Sequence, residues 1–218
     1  MEAKKKAIIA GIIGLCLFGA IIFYLSYLGL KTDPDQVKEV KKEAKLYLEE
    51  KYNEPYEIVD TMYDNVDVYE QFNYAAITSF EERNDPFKFL VFKHADSGEY
   101  MDSYVAETWE YELKSFLTPL LNETYGEDHI QELWMTYPKD IGHQLGIDST
   151  NIPSLKDYDA SPIIRITLNR GKEENDEDKL EDIIKQMEQE LNINSGHITL
   201  SFSDSAIIFK DKDIRKDF

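Results

Sequence analysis

The segment that decides the fold is residues 87–104, which read FKFLVFKHADSGEYMDSY. Phe87, Phe89 and Val91 alternate with the residues between them, and this period of two predicts a strand over 87–93. The polar stretch 94–99, with Ser97-Gly98, predicts a turn, and 100–104 predicts a short fourth strand. A helix is expected next, from about 103 to 125, because these apolar residues recur at helical spacing: Val105, Trp109, Leu113, Phe116, Leu117, Leu120 and Leu121.

The residues before this hairpin complete a first unit. Asp33-Pro34-Asp35 is a helix start signal, because Asp33 can cap and Pro34 suits the first helical position. That helix is expected to end near Tyr52, since Pro55 prevents its continuation. Strand-like runs follow at 56–62 and 72–80. Residues 31–126 therefore predict an α-β-β-β-α unit with an antiparallel sheet.

The second half predicts a smaller β-α-β-β unit over 127–218. Residues 127–161 are rich in loops, with a possible short strand at 133–135, and Ile163–Leu168 alternates as a strand. The remaining expected elements are a helix over 172–191, a strand over 197–202 with Ala206–Phe209 as its pairing partner, and a charged, frayed tail over 210–218. The fold class expected for the whole chain is α+β, in two small subdomains.

Residues 37–104 resemble the PepSY family of small secreted or membrane-attached modules. The resemblance lies in the order of a helix, strands, and a strand running into a turn with Asp and Gly-Glu, here Phe89-Leu90-Val91-Phe92-Lys93-His94-Ala95-Asp96-Ser97-Gly98-Glu99-Tyr100. It implies a propeptide-like module, an inhibitor or chaperone of secreted peptidases, or an envelope protein, with no catalytic residues to carry over. The whole layout is similar to small membrane-anchored envelope proteins of low-GC Gram-positive bacteria.

The N-terminal region contains an uncharged run of 24 residues, Ala7 to Leu30. A helix of that length measures roughly 36 Å and would span a bilayer core of about 30 Å. Lys4, Lys5 and Lys6 precede the run, so the N-terminus is expected in the cytoplasm and residues 31–218 outside the cell membrane. The alternative is a cleaved signal peptide, but the run is longer than such a peptide needs, and its end lacks a small-x-small cleavage site. We therefore expect a single-pass anchor that contacts the lipid bilayer through residues 7–30.

Charge and cysteine content exclude several classes of partner and site. The chain has 24 Lys and Arg against 43 Asp and Glu, a net charge of −19, which argues against binding to a nucleic acid backbone. Its single cysteine, Cys16, excludes an intramolecular disulfide and a cysteine-based zinc site. An acidic surface favours a basic protein partner, because opposite charge steers encounter.

Motifs that carry catalysis or bind cofactors are absent from the sequence. It contains no His-Glu-x-x-His, no Gly-x-Ser-x-Gly, no Walker loop and no Gly-x-Gly-x-x-Gly. The clustered aspartates do not form an EF-hand loop and are interpreted as solvated loops. We therefore expect no catalytic residue, no metal site and no cofactor. The alternative from another class is an envelope hydrolase whose carboxylate pair cannot be picked out among 43 acidic residues.

A cluster of tyrosines and acids is the candidate binding patch. Tyrosine is frequent in interfaces because it joins apolar area to a polar tip, although it also suits half-buried strands. The predicted patch consists of Tyr63, Tyr69, Tyr74, Asp60, Asp64, Asp67 and Glu70. The sequence thus predicts a membrane-anchored, non-enzymatic binding, accessory or inhibitory and immunity module for another envelope or secreted protein.

Overall fold

The computed structural model describes residues 32–64, 69–83, 85–203 and 212–218. Over these residues the chain is α+β, as predicted, with two four-stranded sheets and four α-helices. The predicted membrane anchor, residues 7–30, and Asp67 lie outside the described residues. Of the helices that are described, none combines the length and apolar character needed to cross a membrane.

The first sheet is antiparallel throughout and carries one helix on one face. Helix α1 (Pro34–Lys51) begins at Asp33, whose Oδ1 accepts a hydrogen bond from the Asp35 amide at 2.9 Å. The strands follow as β1 (Tyr56–Tyr63), β2 (Tyr74–Phe80), β3 (Phe89–Lys93) and β4 (Tyr100–Asp102), and they pair in that order. All four correspond to predicted strands, with ends shifted by one to two residues.

The two faces of this sheet bury different apolar groups. One face packs under α1, where Val40, Ala44 and Leu48 meet Ala76, Phe80, Phe89 and Val91. The opposite face forms a separate cluster of Phe72, Ala75, Leu90, Phe92 and Met101. Because side chains alternate across a strand, neighbouring residues of β2 and β3 belong to different clusters.

Helix α2 (Tyr104–Tyr125) links the two sheets and packs mainly with the second. Its buried stripe of Val105, Trp109, Leu113, Leu117 and Leu121 belongs to the same core as the strands of the second sheet. The boundary predicted from the sequence between the two units, at residue 126, had grouped this helix with the first sheet. Gly126 ends the helix at a φ of 88°, a backbone conformation that favours glycine.

The second sheet is mixed because a helix crosses between its two central strands. Its elements are β5 (Ile130–Thr136), the short helix α3 (Ile141–Gln144), β6 (Ile163–Leu168), α4 (Asp176–Leu191), β7 (His197–Phe202) and β8 (Ile214–Asp217). Strands β6 and β7 are parallel, with α4 between them in the chain, whereas β5 and β8 pair antiparallel at the two ends of the order.

Two predictions for this unit need correction, and one is outside the described residues. The short strand expected at 133–135 is a seven-residue strand, because Ile130 to Thr136 pairs along the whole of β6. The tail expected to fray forms β8, since residues 214–217 pair with β7 and Ile214 is buried in the core. The strand predicted at Ala206–Phe209 lies outside the described residues.

Candidate functional site

Strand β5 presents a large aromatic side chain to solvent. Met135 is buried in the core, so the alternation of the strand turns Trp134 to the other face, where the side chain is 43% exposed. Ile163, at the start of β6 and paired with Thr136, is 50% exposed. Both α2 and α4 pack on the opposite face of this sheet. An exposed apolar cluster of this kind is typical of an interaction site.

Two cavities adjoin Trp134, and loop residues that precede strands of the first sheet help to line them: residues 69–71 in one cavity and 86–87 in the other. The larger cavity encloses about 430 Å³ and is lined by Trp134, Ile163, Pro138, Tyr137, Tyr69 and Glu70, among others. The smaller cavity encloses about 270 Å³, and its lining includes Trp134, Phe87, Tyr111, Glu107 and Glu110. We call Tyr69, Phe87, Tyr111, Trp134, Pro138 and Ile163 the Trp134 surface.

A buried ion cluster contributes to the lining of both cavities, since Glu107 and Glu110 line the smaller one and Lys139 the larger one. The Nζ atom of Lys139 is 2.8 Å from Oε1 of Glu107 and 2.8 Å from Oε1 of Glu110, and Lys139 is only 6% exposed. Glu110 Oε1 also accepts a hydrogen bond from the Tyr137 amide at 3.0 Å, and Glu107 Oε1 accepts one from Ser103 Oγ at 3.2 Å. The cluster therefore fixes the segment after β5 against α2.

The charges of this cluster are not balanced. Burial raises the pKa of the Glu107 carboxyl above its usual range; Lys139 lowers it by less, and Glu110 adds to the rise. Burial alone would lower the pKa of Lys139, but Glu107 and Glu110 together raise it above its ordinary value. Lys139 is therefore charged and faces two carboxylates, which leaves a net charge of −1 when both are ionised.

The tyrosines predicted from the sequence are divided between the two faces of the first sheet. Tyr63 and Tyr74 are register partners whose rings stack with centres 4.6 Å apart, and Tyr74 packs with the cluster under α1. Tyr69 packs with the opposite cluster and stacks on Phe72 at 5.0 Å. The structure thus brings Tyr63 and Tyr74 together and places Tyr69 apart from them, at the larger cavity of the Trp134 surface.

The predicted acids also differ in environment. Asp64 is only 7% exposed and accepts a hydrogen bond from the Tyr69 amide at 2.5 Å, so this carboxylate holds the local chain. Asp60 is exposed, and its Oδ1 accepts a hydrogen bond from the Thr61 amide at 2.8 Å. Glu70 is exposed and lines the larger cavity beside Tyr69.

The remaining residues of the Trp134 surface were missed by sequence reasoning. One signal was available for Trp134, because a strand at 133–135 turns it away from Leu133 and Met135. No local signal joins it to Phe87 or Tyr111, which come from the segment before β3 and from α2. Their meeting depends on how the second sheet and α2 pack beside the first sheet.

A second concave region lies between α1 and β4. This groove, of about 830 Å³, is lined by Glu43, Leu46, Tyr47, Glu50, Glu99 and Tyr100, among others. Next to it, Asp102 Oδ2 accepts hydrogen bonds from Tyr47 Oη at 2.7 Å, Lys51 Nζ at 2.9 Å, Tyr52 Oη at 2.9 Å and Ser149 Oγ at 3.2 Å. Burial and the charge of Asp102 raise the pKa of both phenols, which are therefore neutral donors. This saturated carboxylate joins α1 to the loop of Ser149 and is structural.

Metal binding and similarity to other proteins add no further site. Across the described residues, no three His, Cys, Asp or Glu side chains are grouped so that they could hold a metal ion. No family model matches the chain, and no curated protein or solved structure matches it either.

Proposed function

We propose that this chain is a single-pass membrane-anchored protein whose extracytoplasmic α+β part binds another protein, without catalysis, through the Trp134 surface. Residues 7–30 would serve as the anchor, because they form an uncharged run long enough to cross a bilayer. The two sheets would then be two packed subdomains that hold the binding surface between them.

One observation carries the proposal: Trp134 is 43% exposed and lies between two cavities that contain other aromatic and apolar side chains. Tryptophan, tyrosine and arginine dominate the binding energy of protein interfaces, most of all where they adjoin pockets that a partner can fill. Tyr111 is 49% exposed and Ile163 50% exposed, so the surface offers apolar area that water now covers.

The chemistry of the partner follows from charge. The chain carries a net charge of −19, so a basic protein would be drawn to it and an acidic one repelled. Glu70 is exposed and lines the larger cavity, and Glu132 is exposed on β5 two residues before Trp134. Both would form a rim that speeds encounter, while the aromatic centre would slow dissociation. The PepSY resemblance suggests a secreted peptidase as the partner, and the dense negative charge suggests a basic toxin. The chain would then act as an accessory, inhibitory or immunity module.

A hydrolase is the rival proposal, and the structure offers one carboxylate pair for it. Glu107 and Glu110 line the smaller cavity, and the pKa of Glu107 is raised by burial. Both carboxylates, however, bind the same buried cation, Lys139, through Oε1 at 2.8 Å, so their closeness is explained by a structural ion cluster. The binding function is therefore supported better.

Capture of a partner from envelope extract tests the proposal. The full-length chain in non-ionic detergent is compared with Trp134→Ala and with Leu145→Ala, which removes an apolar side chain that is 40% exposed elsewhere. We expect one basic protein to be retained by the wild type and by Leu145→Ala, and to be lost from Trp134→Ala. Equal retention by all three proteins would contradict the proposal.

A further inference from the structure

We propose that the smaller cavity binds the guanidinium group of an arginine side chain from the partner protein. This inference rests on the proposed function and assigns one side chain to one cavity of the Trp134 surface.

The walls of the smaller cavity are aromatic. Phe87, Tyr111 and Trp134 line it, and the rings of Phe87 and Tyr111 have centres 6.1 Å apart at an angle of 45°. Aromatic faces attract cations, and rings placed on several sides of a cavity are a recurrent way to bind ammonium and guanidinium groups. Trp134 already does this within the chain, because the guanidinium of Arg165 lies over its ring at 5.6 Å from the centre.

Two carboxylates in the lining of the cavity each leave one oxygen atom without a protein partner among the described residues. Within the described residues, every hydrogen bond and ion pair made by the carboxylates of Glu107 and Glu110 ends on Oε1. The two Oε2 atoms are therefore available to a ligand. Each carboxylate is already held in place by its bonds through Oε1, so little ordering is needed when a donor arrives.

The charge and the size of the smaller cavity favour the cationic group of a single inserted side chain. Lys139 neutralises only one of the two carboxylates, so the cluster carries a net charge of −1 when both are ionised. Lys114 also lines the cavity, but its side chain is exposed and can move into water. A volume of about 270 Å³ is below the usual range for whole small-molecule ligands and suits a single inserted side chain.

Arginine fits this arrangement better than lysine. Its planar guanidinium can stack on aromatic rings and present several N–H donors in one plane, whereas the lysine ammonium is more strongly hydrated and loses more on leaving water. The cavity provides both requirements, since three aromatic side chains and two carboxylates are among the residues that line it.

A short arginine compound tests the cavity directly. N-acetyl-arginine methylamide is titrated into the full-length, ¹⁵N-labelled chain in non-ionic detergent at low salt, and the indole N–H signals are followed. The chain has two tryptophans, and Trp109 is an internal reference because it is fully buried and its Nε1 donates to Pro153 O at 3.0 Å. We expect the Trp134 signal to shift and saturate while the Trp109 signal stays in place.

Comparison compounds and variants complete the experiment. The neutral isostere, N-acetyl-citrulline methylamide, should bind at least about fivefold more weakly, and Tyr111→Ala should weaken arginine binding about two- to fivefold. Lys114→Ala should strengthen it, since a competing positive charge is removed, and Leu145→Ala should leave it unchanged. Equal shifts with arginine and citrulline, or no shift at Trp134, would overturn the inference.

The two proposals fail in different ways. If Trp134→Ala abolishes capture of the protein partner but the arginine compound does not bind, the proposed function holds and the arginine site is overturned. If the compound binds but Trp134→Ala leaves capture unchanged, the proposed function is overturned, together with the assignment of the cation to a protein partner.

Discussion

The guanidinium of Arg165 lies 5.6 Å from the centre of the Trp134 ring, and the two residues are directly paired across strands β5 and β6. The pairing places both side chains on the face of the sheet that α2 and α4 leave uncovered. The guanidinium covers one side of the ring and so limits the orientations that Trp134 adopts before any partner arrives. A rigid aromatic side chain loses little entropy on binding, which suits it to be an anchor.

Arg165→Ala should therefore weaken partner binding modestly without affecting the fold. The expected loss is about 0.5–1 kcal/mol of binding free energy, the usual value of an exposed cation–π contact. Arg165 is exposed, so the thermal midpoint should change little. The measurement is the dissociation constant for the captured partner.

Arg215→Ala, which removes an exposed arginine from β8 in the same sheet, is the matched control and should bind as the wild type does. A loss of the same size in both variants would contradict a specific role for Arg165.

Lys139→Met should destabilise the protein strongly. Lys139 is 6% exposed, and without it Glu107 and Glu110 would face each other with no cation between them. Breaking a buried ion pair from one side typically costs about 3–5 kcal/mol of unfolding free energy. Lys114→Met changes an exposed lysine of α2 and should stay within about 0.5 kcal/mol of the wild type. Denaturant unfolding of both variants measures the difference, and similar values would show that the cluster does not hold β5 to α2.

Stability should fall in acid partly through Asp176. This carboxylate at the start of α4 is fully buried and accepts hydrogen bonds from Arg170 at 2.7 and 2.9 Å. Burial alone would raise its pKa, but the bonds from Arg170 and from the Glu173 amide outweigh burial and hold the pKa below the ordinary value of 3.8. A lowered folded pKa gives stability that is present above 3.8 and is lost as pH falls through the folded value.

The direction of this pH dependence is tested by measuring the free energy of unfolding of the wild type and of Asp176→Asn at pH 6 and at pH 3. The variant should be less stable at pH 6, and the difference between the two proteins should shrink at pH 3. A difference that grows on acidification would contradict the prediction. Asp178→Asn is the control, because Asp178 is an exposed carboxylate in the same first turn of α4.

The orientation of the chain in the membrane should follow from the uncharged run of residues 7–30 and the lysines that precede it. A tag at the C-terminus should be removed when protease is added to intact, wall-stripped cells, because residues 31–218 are expected outside the cell membrane. A tag at the N-terminus should be protected in the same cells. A protected C-terminal tag, or a mature protein that begins after residue 20, would contradict the anchor.

The sequence predicted the elements of the fold well where apolar periodicity was strong. The strand at 163–168 and the helix that ends at Leu191 appear where alternation and helical spacing placed them. Periodicity failed for β8, because the run Ile214–Asp217 has one buried apolar residue and is held by pairing with β7. Strand pairing over a distance leaves no local pattern in a short, charged segment.

The candidate site was harder to predict because it is assembled from distant segments. Tyr69 and Glu70 were chosen from a local cluster and do line one cavity of the Trp134 surface. Tyr74, chosen by the same reasoning, packs with the cluster under α1, since residue type alone does not show which face of the sheet a tyrosine occupies. Phe87 and Tyr111 meet Trp134 only through the packing of the two sheets.

The most direct test of the account is the affinity of the full-length chain for its captured partner, measured for the wild type, Trp134→Ala and Leu145→Ala beside their thermal midpoints. The account predicts that Trp134→Ala loses at least about 2 kcal/mol of binding free energy, as expected for a central aromatic anchor. It also predicts that Leu145→Ala binds as the wild type and that all three proteins melt at nearly the same temperature. Unchanged binding by Trp134→Ala, or a loss matched by a fall in its midpoint, would contradict the claim that Trp134 is the anchor.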